Sequence, residues 1–94
     1  MDLEIVDVPE QHRYEARLGA AVAGFIDYRA AGAERTFRHT QVVPEFEGRG
    51  VGGALARAAL DDLRARSLTV RPLCPFVAGW IQRHPEYLDV VTPG

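Results

Sequence analysis

The chain has 94 residues, the length of a single domain, and we expect residues 1–94 to form one. Its hydrophobic content of 47% and charged content of 26% are ordinary for a globular protein and argue against disorder. A formal net charge of −2 with no basic block gives no indication of a nucleic-acid partner. A single cysteine excludes an internal disulfide and fits a reducing, cytoplasmic location, and no apolar run is long enough to cross a membrane.

Four short strands are predicted for the first half of the chain. Each alternates apolar and polar residues, and turn signals at Pro9, Gly19 and Gly32 separate them. The predicted strands are Leu3–Val8, Arg13–Leu18, Ala21–Arg29 and Glu34–Val43. Because the turns between them are short, the four strands are expected to form an antiparallel meander with the first strand at its edge.

The second half predicts a helix, a strand and a second helix. Gly50–Arg66 carries an apolar stripe at helical spacing, and Leu68–Cys74 is a short buried strand. A helix connects that strand to the one before it, so the two should run parallel. Pro75 suits the first position of a helix over Phe76–Arg83, and Tyr87–Val91 is a last short segment. The fold class is therefore mixed α/β, of the α+β type.

A glycine-rich loop lies where the fourth strand gives way to the long helix. Its residues are Gly48-Arg49-Gly50-Val51-Gly52-Gly53. A helix start offers unpaired N–H groups and partial positive charge, and glycines let a bulky anion approach them. A Walker A loop would end in Gly-Lys-Ser/Thr, which is absent here. A dinucleotide-binding loop would follow its strand directly and be answered by an acidic residue about 20 positions later, and neither condition is met.

The stretch Val42-Val43-Pro44-Glu45-Phe46-Glu47-Gly48-Arg49-Gly50-Val51-Gly52 resembles the signature of the GNAT N-acetyltransferase superfamily. With His39-Thr40 before it and Leu73-Cys74-Pro75-Phe76 after it, the chain is similar to a short single-domain branch of that superfamily. One position departs from the family pattern: Glu47 stands where Gln or Arg is usual. Only Pro9–His12 lie between the first two strands, where fuller members have helices, so the substrate should meet an open platform.

The resemblance implies that the chain binds acetyl-CoA, with the pyrophosphate in the glycine loop and the pantetheine arm along the fourth strand. The residues that it assigns to this binding are Gln41, Val42, Val43, Gly48, Arg49, Gly50, Val51, Gly52 and Gly53. The alternative for the glycines is that they only allow close helix packing.

Two residues are candidates for catalysis. Cys74 precedes a helix start, where a thiol is favoured as the nucleophilic thiolate, and the resemblance places it near the acetyl group. It would accept the acetyl group in a ping-pong scheme or protonate the departing CoA thiolate; the alternative is a small buried core residue. His39 suits a general base and would share the cleft with Cys74 if their strands are neighbours; the alternative is a structural histidine. Tyr87 is a weaker candidate for the acid.

The sequence thus predicts an acetyl-CoA-dependent N-acetyltransferase that acts on a primary amine, of a small molecule or of a protein. The alternative is a non-catalytic sensor module that binds CoA or acyl-CoA. No metal and no nucleic acid or membrane partner is expected, since no histidine pair has metal-ligand spacing with the cysteine. The chain would be a monomer or a homodimer.

Overall fold

A computed structural model describes residues 2–93, which form a five-stranded sheet and two helices. The strands are β1 (Glu4–Val8), β2 (Arg13–Leu18), β3 (Ala21–Ala31), β4 (Glu34–Val42) and β5 (Thr69–Pro72), and the helices are α1 (Val51–Ala65) and α2 (Pro75–Arg83). Short 3-10 turns occupy Pro9–Gln11, Pro44–Phe46 and Pro85–Val90. The predicted fold class is confirmed, with an antiparallel meander followed by helix, strand and helix.

The sheet has the order β1-β2-β3-β4-β5, so each strand lies beside its neighbours in sequence. The first four strands pair antiparallel, because the turns between them leave the chain no room to cross over. β5 pairs parallel with β4, because α1 carries the chain back to the start of that strand. β1 is an edge strand, as predicted. At the opposite edge, Val91 forms a parallel bridge to Val70.

Both helices pack on the same face of the sheet. The apolar stripe of α1 is buried as predicted, through Val51, Leu55, Ala56, Ala59, Leu60 and Leu63. It packs against inward-facing sheet residues such as Ile26 and Phe37, each 0% exposed. α2 adds Val77, Trp80 and Ile81 to the same core. We call this the helix face.

The other face of the sheet has no helix over it in the part of the chain that the structure describes. Polar and charged side chains stand there among a few apolar ones. Arg13 lies over the ring of Phe25 at 4.6 Å, and Phe25 meets His39 edge to face, with 6.4 Å between ring centroids. We call this the open face.

A β-bulge in β4 changes which residues point to each face. Tyr28 pairs with Phe37, but Asp27 pairs with His39, which leaves Arg38 as an extra residue. Side chains normally alternate between faces, so Phe37 and His39 would otherwise point the same way. With the bulge, Phe37 lies on the helix face and His39 on the open face.

The element ends differ slightly from the predicted ones. β3 continues to Ala31, and β5 ends at Pro72 rather than at Cys74. β5 stops early because the carbonyl of Phe37 accepts the N–H groups of both Leu73 and Cys74, each at 3.0 Å. One acceptor serving two successive donors ends the regular ladder, and the two parallel strands part from this point. The last short segment is a 3-10 turn over Pro85–Val90, followed by the bridging residue Val91.

Candidate active site

The gap between β4 and β5 is the first component of the site. The two strands pair only from Glu34 to Phe37 on β4, after which β4 continues to Val42 beside β3 alone. The N–H group of Val43 donates to the carbonyl of Ala23 at 2.8 Å. Hydrogen bonds to one neighbour alternate along an antiparallel strand, so the main-chain groups of Gln41 also face β3. The amides of Thr40 and Val42 therefore point into the gap.

This geometry separates the three main-chain residues that were predicted to bind the cofactor. Val42 has its amide in the gap, whereas the amide of Val43 is already bonded to β3. Gln41 is exposed. Thr40 was not among the predicted residues.

The glycine loop is the second component. Gly48 and Gly50 have φ angles of 78° and 79°, a left-handed conformation that strains any side chain but glycine. Gly50 is the N-cap of α1 and supplies no side-chain cap. The first hydrogen bond of the helix runs from the Ala54 N–H to the Gly50 carbonyl. The amides of Val51, Gly52 and Gly53 therefore lack helical partners and are aimed at the loop.

A cavity of about 230 Å³ lies in front of these amides. Its lining residues are Val42, Phe46, Glu47, Gly48, Gly50, Val51, Gly52, Gly53 and Phe76. The Phe76 ring, 40% exposed, leans over the first turn of α1: a β-carbon on Gly52 would lie 2.8 Å from the ring. The cavity thus combines apolar walls with a helix start, which fits a ligand that has both an apolar arm and an anionic group. Neither Cys74 nor His39 lines it.

Two charged residues flank this cavity. Arg49 is exposed at the loop, with its guanidinium carbon 5.9 Å from the ring centre of Phe46. Glu47 is exposed and contributes to the lining. An anion held at the helix start would therefore meet one cation and one carboxylate at the rim.

Cys74 lies at the junction of β5 and α2. Its side chain is 3% exposed, and it is the N-cap of α2, with its carbonyl accepting the N–H of Ala78. Its Sγ atom lies 3.2 Å from the Oγ1 atom of Thr40. The structure thus brings Cys74 together with Thr40, at the gap between β4 and β5.

His39 lies away from Cys74. The bulge at Arg38 turns the His39 side chain to the open face, where it packs against Phe25. His39 lies on β4 and Cys74 just beyond the end of the neighbouring strand β5, but the two side chains are on opposite faces of the sheet. No pattern in the sequence indicates Thr40, because simple alternation from the buried Phe37 assigns His39 to the cleft.

Tyr87 and His84 take part in packing α2 and the last turn on α1. The Tyr87 hydroxyl donates to an oxygen of Asp61 at 2.7 Å, and Arg57 donates to the same hydroxyl at 3.3 Å. Burial, and then the bond to Asp61, raise the pKa of Tyr87. His84 stacks on Trp80 at 3.8 Å between ring centroids. The Tyr87 hydroxyl is thus already engaged by α1 side chains.

Within residues 2–93, no group of three or more His, Cys, Asp or Glu side chains is placed to hold a metal ion. Over the same residues, no helix has both the length and the apolar character needed to cross a membrane.

A glycine-rich helix start beside two diverging parallel strands is typical of the GNAT fold. Comparison with known proteins agrees with this assignment. A sequence model of the GCN5-related N-acetyl-transferase family matches residues 13–90. The solution structure of a "GCN5-like putative N-acetyltransferase" from Staphylococcus aureus superimposes with a TM-score of 0.73 and 26% identity, over 98% of this chain and 90% of that one. The chain belongs to the family of GCN5-related N-acetyltransferases.

Vertebrate relatives are similar over a shorter stretch. Protein NATD1 of Homo sapiens and of Mus musculus are each 31% identical to this chain over 58 residues, or 60% of its length. That stretch covers 51% of the human protein and 53% of the mouse protein. The chain therefore matches about half the length of these relatives.

Proposed function

We propose that the protein is an acetyl-CoA-dependent N-acetyltransferase that transfers an acetyl group to a primary amine. One observation carries the proposal: the amides of Val51, Gly52 and Gly53 at the start of α1 have no hydrogen-bond partner within residues 2–93, and these residues line a cavity beside the gap between β4 and β5. Diphosphate is an anion that such a helix start binds well. The apolar wall formed by Val42 and Phe76 suits the pantetheine arm.

Acetyl-CoA supplies a thioester, whose acyl carbon forms a bond to the amine nitrogen while its C–S bond breaks and CoA leaves as a thiolate. The developing negative charge on the acyl oxygen requires a donor in the gap. The amides of Thr40 and Val42 have the required direction. The amine must lose a proton and the thiolate must gain one, so that the reaction is balanced overall.

The contact between Cys74 and Thr40 supports a role for this pair in the second of these proton transfers. A thiol and a hydroxyl 3.2 Å apart form a pair in which either atom can donate. We propose that this pair protonates the CoA thiolate. The second route is acetyl transfer to Cys74 itself, followed by transfer to the amine. His39, on the open face, is proposed to accept the proton of an amine that arrives from that side.

The test is release of free CoA thiol from acetyl-CoA, measured with Ellman's reagent across a panel of primary amines. Amine-dependent release is expected. Replacing Thr40 with Val keeps the shape but removes the hydroxyl, and should lower kcat about 10-fold while acetyl-CoA binding is unchanged. Thr36→Val on the same strand is the control, since Thr36 has no side-chain hydrogen bond among residues 2–93. Mass spectrometry for acetyl on Cys74 separates the two routes.

A non-catalytic sensor of CoA or acyl-CoA is the second candidate function. The observation that favours it is that Thr40 is the one hydrogen-bond partner of the Cys74 side chain in residues 2–93, with no base in contact. This function predicts that acetyl-CoA binds and that no amine in the panel releases thiol. Binding without release would therefore reject the enzyme and support the sensor.

A further inference from the structure

A polar groove of about 360 Å³ lies on the open face, apart from the cavity at the glycine loop. Its lining residues are Gln11, His12, Asp27, Tyr28, Arg29 and Arg38. It includes the site of the β4 bulge, where Arg38 is the extra residue. Groups of both charge signs therefore meet in one concave place.

Several charged side chains elsewhere on the sheet form ion pairs with one another. Arg13 and Arg17 bind Glu15, and Arg71 binds Glu34. By contrast, the side chains of Asp27, Arg29 and Arg38 form no ion pair or hydrogen bond with any residue from 2 to 93. Asp27 is half-buried, and a carboxylate in that position gains from a cationic partner.

The groove lies close to the gap where β4 and β5 part. Arg38 directly follows Phe37, whose carbonyl accepts the N–H groups of Leu73 and Cys74 at the point of divergence. Asp27 stands opposite His39, one strand further from the gap. Neighbouring strands are about 4.8 Å apart, so Asp27 on β3 lies about one strand spacing from β4, the strand that borders the gap.

From these observations we infer that the groove anchors the charged end of the acceptor, and that the acceptor is a free amino acid carrying a second amine at the end of its side chain. Arg29 and Arg38 bind the carboxylate, and Asp27 binds the α-ammonium group. The side chain then spans the distance to the gap, where its terminal amine attacks the acyl carbon. This inference rests on the proposed function and names its substrate class.

The anchor has a consequence for selectivity. An alkyl diamine lacks the carboxylate, and an ω-amino carboxylate lacks the α-ammonium group, so each leaves part of the groove unpaired. A lysine within a protein chain lacks both charges, because its α-amino and carboxyl groups are in peptide bonds. The groove therefore selects free diamino acids over the other primary amines.

Binding is measured first, by following backbone amide NMR signals of the ¹⁵N-labelled protein with CoA present. L-Lysine should shift the amides of His12, Asp27 and Arg38, and 1,5-diaminopentane should need about 10-fold higher concentration to shift them equally. Arg38→Gln and Asp27→Asn should each weaken lysine binding about 10-fold, the size expected when one charged hydrogen-bond partner is lost. Arg83→Gln is the control, since Arg83 is exposed on α2 and forms no ion pair within residues 2–93.

Turnover is measured second, as kcat/KM with L-lysine, 6-aminohexanoate, 1,5-diaminopentane and hexylamine. L-Lysine should be preferred about 10-fold or more over each of the others, and Arg38→Gln should remove its advantage over the diamine. The inference is overturned if lysine leaves the groove amides unshifted, or if the diamine shifts them equally at the same concentration. These signals do not require turnover. Lysine binding in the groove without thiol release would instead reject the proposed acetyl transfer.

Discussion

Gly52 packs against the ring of Phe76 with no room for a side chain. A β-carbon at Gly52 would lie 2.8 Å from the Cζ atom of that ring, a distance that real β-carbons do not tolerate. Because the Phe76 ring is partly exposed, a side chain at Gly52 would displace the ring and leave the helix folded. Its displacement would be next to the unpaired amides that we propose bind the CoA diphosphate.

We therefore predict that Gly52→Ala weakens CoA binding about 10-fold, because the added methyl group forces the Phe76 ring out of its place on the cavity wall. Gly53→Ala is the matched control: its β-carbon would lie 3.7 Å from Nε1 of Trp80, an ordinary contact. Both changes replace a helical glycine with alanine and so share the same gain in helix propensity. Isothermal titration calorimetry measures the affinities, and equal affinities in the two variants would contradict the prediction.

The placement of the catalytic candidates depends on one residue that a sequence does not reveal. The alternation of apolar residues predicts the strands, and four glycines in six positions predict the loop. Whether His39 or Thr40 faces Cys74 is decided by the bulge at Arg38, which shifts the alternation by one. A bulge arises from pairing with β3, and pairing is a long-range property. For that reason the sequence locates both strands but does not show that Thr40, rather than His39, lies beside Cys74.

Among the elements, β2 carries a buried charge on the open face. The Glu15 carboxylate is 3% exposed and accepts hydrogen bonds from Arg13 at 2.8 Å and from Arg17 at 2.9 Å. Burial by itself would raise the pKa of Glu15, but the two guanidinium groups outweigh it and hold the pKa below its usual 4.5. The charged form is thus the one that the folded protein stabilises.

Because the folded pKa of Glu15 is depressed, its stabilisation is present above about pH 4.5 and is lost as the pH falls through the folded value. We predict that Glu15→Gln lowers the free energy of unfolding by about 1–2 kcal/mol at pH 7, by weakening two charged hydrogen bonds. The difference between wild type and variant should shrink between pH 5 and pH 3. Urea unfolding across this range measures it, and a difference independent of pH would count against the ion pairs.

The 3-10 turn Pro85–Val90, which follows α2, is attached to α1 through Tyr87. The Tyr87 hydroxyl joins the last turn to Asp61 and Arg57 of α1, and the guanidinium of Arg64 lies 4.8 Å from the Tyr87 ring centre. Tyr87→Phe should lower stability by about 1 kcal/mol, or roughly 5 °C in Tm, because it leaves two polar partners without the hydroxyl. The kcat should be unchanged. A loss of kcat with an unchanged Tm would instead assign Tyr87 the role of catalytic acid.

The boundaries of the elements were predictable where they depend on local chemistry. The stripe of α1 has six buried residues at helical spacing, and Pro75 begins α2. The early end of β5 was not predictable, because it follows from the shared Phe37 carbonyl on another strand. The same long-range contact opens the gap on which the proposed chemistry depends.

In the proposed reaction, the two faces of the sheet receive different substrates. The helix face holds the core and the glycine-loop cavity, so the donor would enter there and extend into the gap. The open face holds the polar groove, so the acceptor would arrive from the other side. The gap between β4 and β5 is where the two meet, which allows a short chain to keep two substrates apart until they react.

This arrangement predicts which part of CoA stabilises the fold. A ligand at 100 times its dissociation constant adds about 2.7 kcal/mol to the free energy of unfolding, which in a domain of this size raises Tm by about 10 °C or more. CoA and acetyl-CoA should both do so in a differential scanning fluorimetry experiment. Pantetheine, which has the apolar arm but no diphosphate, should give a shift several-fold smaller at the same concentration. The unpaired amides of Val51, Gly52 and Gly53 would then have nothing anionic to bind. An equal shift with pantetheine would mean that the apolar wall, and not the helix start, provides the affinity.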